Sequence, residues 1–480
     1  MEKQKFSFFL SFDFIWLSFA LMTVLLLAFF LPVLPNDYWW YMRIGQEVLA
    51  TGQVPAVDII SASGQPIMYH SWLSAVIFSL LYDAGGLGLT IFARGLVIGL
   101  AYLVLWALVR RAGVGPKLAW LLMFMAVLAS SNNWVVRPQM FTYFLFALSL
   151  WILYQWQNGD NRFLWVLPLI SLLWVNLHGS FVLLFPLIGA ALIFGAGQRK
   201  FLLLAFVLAF LAILVNPRGV GVFEYIIFSI TSESNQLSME WGPPVNDNWQ
   251  MNIFFVWLLA FIPLAAFSPK KLNRLEWVWF LGFGLLALFG LRYVIWFIFL
   301  LVVISATLLS GWTKASGAQR FTPLNLALGL VLLAMPILLL PGLRERWMES
   351  PPPVTANTPF AVVEWLEAHP EVPNPLWNQY VYGSYLAYAL PGRPVWIHTM
   401  FEAYSREHWE RYLAVSAARY DWQKLLDEDG VNSMLLSVQS QDNLLSALRQ
   451  SETWCEVYKD DDAAIFIRID PGEPCPGLDA

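Results

Sequence analysis

The sequence predicts an α-helical polytopic membrane protein with a small α/β domain at its C-terminal end. Three observations predict it. Of the 480 residues 58% are hydrophobic and only 13% are charged, too few charges to cover a water-soluble chain of this length. Apolar runs long enough for helices recur from residue 15 to residue 341. Charge then divides the chain: residues 1–344 hold 19 Lys and Arg against 12 Asp and Glu, whereas residues 345–480 hold 9 against 21. A basic apolar part and an acidic polar part fit a membrane domain followed by a water-facing one. Neither contains a basic patch interleaved with exposed aromatics, which excludes nucleic acid as a partner.

The chain begins MEKQKFSFFLSFDFIWLSFALMTVLLLAFF. Its basic start is that of a signal peptide, but the apolar run is too long and no small-x-small cleavage site follows, so it reads as the first span. Further runs lie at 88–109, 118–135, 139–157, 163–177, 180–196, 201–215, 251–267, 276–291, 293–311 and 323–341. With the first they make about eleven spans, since a crossing helix needs ~20 residues. The segment 71–84, SWLSAVIFSLLYDA, is too short and reads as an interfacial or re-entrant helix. Basic residues gather in alternate loops: Lys3 and Lys5, Arg110, Arg111 and Lys117, Arg162, Arg199 and Lys200, Lys270, Lys271 and Arg274, Lys314 and Arg320. Those loops are therefore cytoplasmic, as is the N-terminus, in the plasma (inner) membrane. The long loops 35–87 and 216–250 and the tail fall outside.

A proline-rich stretch, 345–357, reads as a stiff linker from the membrane domain 1–344 to the domain 358–480. In that domain PFAVVEWLEAH, HWERYLAVSAARY and QDNLLSALRQ read as helices, and PVWIH, VNSMLLSV and AAIFIRI as strands. The alternation predicts a mainly parallel sheet. It holds no GxGxxG or P-loop, which argues against nucleotide binding. Cys455 and Cys475 have no His nearby in sequence and are not a zinc pattern; they can pair if the tail faces an oxidising compartment.

The outer face carries the candidate chemistry. Its basic residues are mostly single arginines beside span ends: Arg43, Arg137 in NNWVVRPQM, Arg218 in VNPRGVG and Arg292 in LFGLRYV. The charge rule disfavours them there, and arginine suits bidentate phosphate contact. Snorkelling to headgroups, or pairing with a carboxylate, is the plainer account of any one of them. Asp37, in LPNDYWWYMRIGQ, stands directly at a span end, where an ionisable group is a functional hypothesis. It can equally cap an amphipathic helix beginning at Asn36 or Asp37. Asp58, Glu240, His70 in YHSWL and His178 in WVNLHGS are further candidates to touch substrate, although isolated histidines are more often structural. No spacing supports a metal, and there is no GxSxG elbow. A membrane acid beside outer-leaflet arginines predicts transfer from a polyprenyl-phosphate sugar. Asp37 would act as general base on an acceptor hydroxyl and Arg43, Arg137, Arg218 and Arg292 would neutralise the lipid phosphate. Such a donor is already activated and needs no nucleotide site or other cofactor.

The run NDYWWYMRIGQEVLATGQVPAVDIIS…YHSWL resembles the first outer loop of bacterial members of the GT-C glycosyltransferase superfamily. That superfamily takes in protein O-mannosyltransferases, oligosaccharyltransferases and lipid A aminoarabinose transferases. RPQMFTYFL, WVNLHGSFVL, VNPRGVGVFEY, MEW and WNQYVYGSYLAYALPGRPVWI extend the resemblance over most of the chain. It implies a GT-C-like membrane fold whose first outer loop carries an acidic catalytic residue, the position held here by Asp37. Two departures stand out. Many members pair two acids in that loop, whereas Asn36 precedes Asp37, which weakens the case for a divalent metal. Where related chains have an acid after PVWI, this one reads His398, Thr399, Met400. The acceptor, whether glycan, lipid or protein, is not specified. A non-catalytic membrane scaffold with the tail as docking module is the alternative. A transporter would need inverted repeats or midplane charges, and neither is found.

Overall fold

The computed structural model describes residues 8–31, 33, 35–61, 64–312, 322–344 and 358–476. The linker 345–357 and the topology markers Lys3, Lys5, Lys314 and Arg320 lie outside the described residues. The chain folds as two compact units. One takes Met1–Pro32, Ala84–Glu224 and Met239–Met348; the other takes Val33–Asp83, Tyr225–Ser238 and Glu349–Ala480.

The first unit is helical. Each of the eleven apolar runs contains a helix, and among the described residues five helices are long and apolar enough to cross a membrane: Phe12–Phe30, Trp72–Arg111, Trp249–Phe267, Leu291–Leu309 and Pro323–Leu343. The expected eleven spans are thus not confirmed by helix length and composition. Val166–Leu177 has 12 residues and Leu184–Phe194 has 11, which at ~1.5 Å per residue fall well short of a ~30 Å hydrocarbon core. Helix Gln139–Gln157 has 19 residues, but its glutamine ends make it less apolar.

Helix Val294–Leu309 is the centre of this unit. VIWFIFLLVVISATLL is apolar all round, and the helix is buried along nearly its whole length. Trp296 meets Tyr143 and Phe146, each with ring centroids 5.2 Å away, and Trp174 at 5.9 Å. One cation sits inside an apolar run. Arg94 is fully buried and its Nη2 donates to the carbonyls of Ala28 and Leu31, the latter at 2.6 Å. These are carbonyls left unpaired at the C-terminal end of helix Phe12–Phe30, where the helix dipole also favours a cation.

The helix Trp72–Arg111 breaks at Gly85 and Gly86, with φ −165° and 62°. At Gly86 the pair φ 62°, ψ −158° is one that only glycine adopts without strain. The boundary between the units falls at this break, so the short apolar segment 71–84 is a helix of its own, as its length predicts.

The second unit contains a four-stranded sheet in the order β1-β2-β4-β3, where β1 is Leu376–Asn378, β2 Ser433–Ser437, β3 Trp454–Lys459 and β4 Ala463–Arg468. Only β1 and β2 are parallel; β2–β4 and β4–β3 are antiparallel. The expectation of a mainly parallel sheet is corrected accordingly. A short turn, Asp460 to Asp462, joins β3 to β4, and such a turn can only make a hairpin. PVWIH is not a strand either. Val395 makes single bridges to Ser61 and Leu376, and the proline before it cannot donate to a ladder. Trp377, Trp409, Tyr412, Leu436, Leu444, Trp454 and Phe466 form the core on this sheet. Cys455 and Cys475 are bonded, Cα atoms 5.6 Å apart. The sequence boundaries placed 35–87 with the membrane part, yet 33–83 packs with the tail.

Candidate functional site

Asp37 lies on helix Pro35–Thr51. Proline suits the first helical position, since its missing N–H has no partner there anyway. The helix therefore starts before Asn36, and Asp37 sits in its first turn rather than at the cap expected from sequence. A carboxylate there is favoured by the helix dipole. Contacts with two neighbouring helices fix the helix. A Cβ on Gly45 would lie 2.2 Å from the carbonyl oxygen of Ala75, so only glycine permits this approach. Trp39 packs on Tyr385 and Tyr388 of helix Tyr382–Ala389, centroids 5.1 and 4.9 Å away, and Trp40 N–H donates to Ser384 Oγ at 3.2 Å.

Thr399 reaches Asp37 from the far end of the sequence. Asn378, at the end of β1, donates from Nδ2 to the carbonyl of Ile397 and accepts at Oδ1 from Trp396 N–H, both at 2.8 Å. A Cβ on Gly383 would stand 2.0 Å from that same Ile397 carbonyl oxygen. These residues belong to WNQYVYGSYLAYALPGRPVWI, and what they hold is the strand-like stretch 395–397. Thr399 Oγ1 then donates to Asp37 Oδ1 at 2.8 Å, sharing its one proton with the carbonyl of Asn36. Trp40 Nε1 approaches the same carboxylate oxygen at 3.4 Å.

The surroundings are buried and aromatic. Burial, then Asp37, Glu402 and Tyr225, push the Tyr41 phenol well above its usual range, so it stays protonated. His398 is fully buried; burial pushes its imidazole down to about 4, against the opposing charge of Asp58. Its Nδ1 accepts from Met400 N–H at 3.3 Å, and Nε2 has no hydrogen-bond partner among the described residues.

The other candidates separate. Asp58 is buried and accepts from Ile60 N–H (2.9 Å), Ser61 N–H (3.2 Å), Ser61 Oγ and Tyr69 Oη (3.2 Å). That makes it a fold-stabilising turn residue. His70 stacks on Tyr225, centroids 4.1 Å apart. Arg43 pairs with Glu47 at 2.9 Å on its own helix, and six positions from Asp37 it lies on a different helical face.

In the first unit three candidates come together. Arg137 Nη1 pairs with Glu240, and the Arg292 guanidinium lies over the Trp241 ring, 4.3 Å from its centroid. Burial raises the Glu240 carboxyl, but Arg137 and then Arg292 outweigh it and hold it below the usual range. Glu240 thus pairs with one guanidinium group and feels the charge of a second. Arg218 follows helix Arg199–Ala212, its N–H donating to Asn216 Oδ1 at 2.8 Å. His178 Nδ1 accepts from Ser180 N–H at 3.1 Å, a cap for the turn Gly179–Leu183. Among the described residues no three His, Cys, Asp or Glu side chains gather as a metal would require. Sequence reasoning missed Thr399 as a partner of Asp37. Its signal was the neutral residue after PVWI, but contact across 362 positions leaves no local trace.

No protein-family model and no curated protein matches the chain by sequence. Solved structures do match by fold. The oligosaccharyltransferase of Archaeoglobus fulgidus, tethered to an acceptor peptide containing an NVT sequon, superposes with a TM-score of 0.58 at 13% identity, over 95% of this chain and 74% of that one. The same archaeal enzyme, AglB, with an inhibitory peptide and dolichol-phosphate, gives 0.51 at 11% identity, over 95% and 74%. ArnT from Cupriavidus metallidurans bound to undecaprenyl phosphate gives 0.43 at 13% identity, over 94% and 96%. The chain shares the overall fold of the Archaeoglobus fulgidus oligosaccharyltransferase.

Proposed function

We propose that this protein is a membrane glycosyltransferase that moves a sugar from a polyprenyl-phosphate donor to an acceptor hydroxyl at the outer face of the membrane. The observation that carries the reading is the carboxylate of Asp37, in the first turn beyond the first apolar helix and hydrogen-bonded by Thr399 Oγ1 at 2.8 Å. The fold supports it: one protein of that fold is an oligosaccharyltransferase held with dolichol-phosphate.

In the reaction the acceptor oxygen attacks C1 of the sugar and its proton passes to Asp37. The C1–O bond to phosphate breaks, and the lipid phosphate leaves with the electron pair. Thr399 fixes one oxygen of the base, so little reorganisation is needed when the acceptor arrives. In the first unit Arg137 and Arg292 are the side chains we propose for contact with an anionic phosphate, Arg137 being paired with Glu240 when no anion is bound. Arg43 and Arg218 are secondary candidates for the same role.

The pairing of Arg43 with Glu47 and of Arg137 with Glu240 favours a second reading, a non-catalytic scaffold whose arginines are structural. Proteoliposomes carrying a radiolabelled polyprenyl-phosphate sugar and a membrane extract as acceptor source separate the two. Transfer of label out of the lipid fraction, above protein-free vesicles, supports the enzyme. Label that stays on the lipid across a range of donor sugars supports the scaffold.

A further inference from the structure

The second unit holds a cavity of about 700 Å³, within the usual range for a small-molecule site. Three rings on its lining stack in a row: Trp396 on His408, centroids 5.6 Å apart and 27° between planes, and His408 on Tyr404, 4.9 Å and 16°. Its polar lining includes four serines, among them Ser232 and Ser405, and two acids, Glu233 and Glu402. The cation on the lining, Arg406, is engaged with Glu410 at 2.8 Å and Glu233 at 3.8 Å. Among the described lining residues none is aliphatic beyond Ala403.

We infer that this cavity is a saccharide-binding subsite for an uncharged glycan, which serves as the acceptor. A sugar ring has an apolar C–H face and a rim of hydroxyls. Flat aromatic surface matches the first, and carboxylates and hydroxyls match the second. A peptide side chain of ordinary hydrophobicity finds no aliphatic pocket here. An anionic ligand meets two carboxylates and an arginine already paired. The site is also joined to the proposed base. The chain touches Asp37 at Thr399 and enters the cavity lining at Glu402, within the turn Phe401–Ala403. Glu402 and Asp37 both act on the Tyr41 phenol. An acceptor glycan lodged in the cavity would so direct a hydroxyl toward the carboxylate that takes its proton.

The inference rests on the transfer reading, but its test reads binding without turnover. Saturation-transfer NMR on the full-length protein in detergent would use N,N′-diacetylchitobiose, cellobiose, maltose and mannobiose, with a Ser-Thr tetrapeptide for comparison. At least one disaccharide should receive saturation. The signal should fall about tenfold in Glu402→Gln, which removes a charged acceptor, and vanish in Ser232→Trp, which fills the cavity. It should persist in Asp37→Asn. Should Ser232→Trp fail to fold, Glu402→Gln alone decides. No disaccharide signal, signal unchanged in Glu402→Gln, or saturation of the peptide alone overturns the inference. None of those outcomes bears on whether Asp37 is a base, which is read from transfer alone.

Discussion

Thr399 Oγ1 carries one proton and faces two acceptors, the Asn36 carbonyl and the Asp37 carboxylate. An ionised carboxylate is the stronger acceptor of the two. Thr399→Val keeps the shape and removes the donor. Transfer should fall roughly tenfold, as for a lost hydrogen bond to a charged group, while thermal unfolding stays near wild type. His398 makes a different prediction. Its imidazole has a pKa of about 4 in the fold against 6.5 when free. Between those values the unfolded chain binds a proton that the folded one refuses. Stability is therefore intact above pH 6.5 and falls as pH drops toward 4, by about 3 kcal/mol at most. Melting curves at pH 7 and pH 5 should differ more for wild type than for His398→Asn, whose side chain can still accept from Met400 N–H. At this scale Asp37 drew notice in the sequence by its place at a span end, and Arg137 and Arg292 as single arginines beside span ends. Thr399 escaped because a neutral hydroxyl is conspicuous only beside its partner.

The elements divide by how local their causes are. The helices of the first unit follow from apolar runs, which are continuous in sequence. β1 has three residues and β3 is bulged between Glu456 and Tyr458, so neither shows a clear period of two. The mixed order of the sheet depends on pairings between distant segments, and alternation of helix and strand does not encode those. The break at Gly85 and Gly86 likewise depends on backbone angles, though two adjacent glycines mark where it falls. The close approach of Gly383 to the Ile397 carbonyl tests whether this packing sets the site. Gly383→Ala should cost about 1–3 kcal/mol, because a backbone carbonyl cannot move aside cheaply. By shifting 396–399 it should also lower transfer in the protein that does fold. Thermal shift and transfer assays on the same preparation check both. Loss of neither would mean that the stretch holding Thr399 is not fixed by this contact.

For the whole molecule, Lys and Arg clustered in alternate loops between apolar runs lead us to propose that the tail lies outside. The Cys455–Cys475 bond fits an oxidising compartment. In intact cells an impermeant maleimide should modify neither cysteine until a reductant is added, and then both. Modification only after lysis would put the tail on the other side and remove the outer-face reaction. The division into spans was less legible, because helices of 11 and 12 residues continue an apolar pattern without the length to cross. The central claim, that Asp37 takes the acceptor proton, is tested most directly by initial transfer rates of Asp37→Asn and wild type from a radiolabelled polyprenyl-phosphate sugar in membranes. Asparagine keeps the volume and can still accept from Thr399, so the protein should insert and melt as wild type does. The account predicts a fall of roughly 10²-fold or more, the usual loss for a general base. A rate in Asp37→Asn equal to wild type would contradict it.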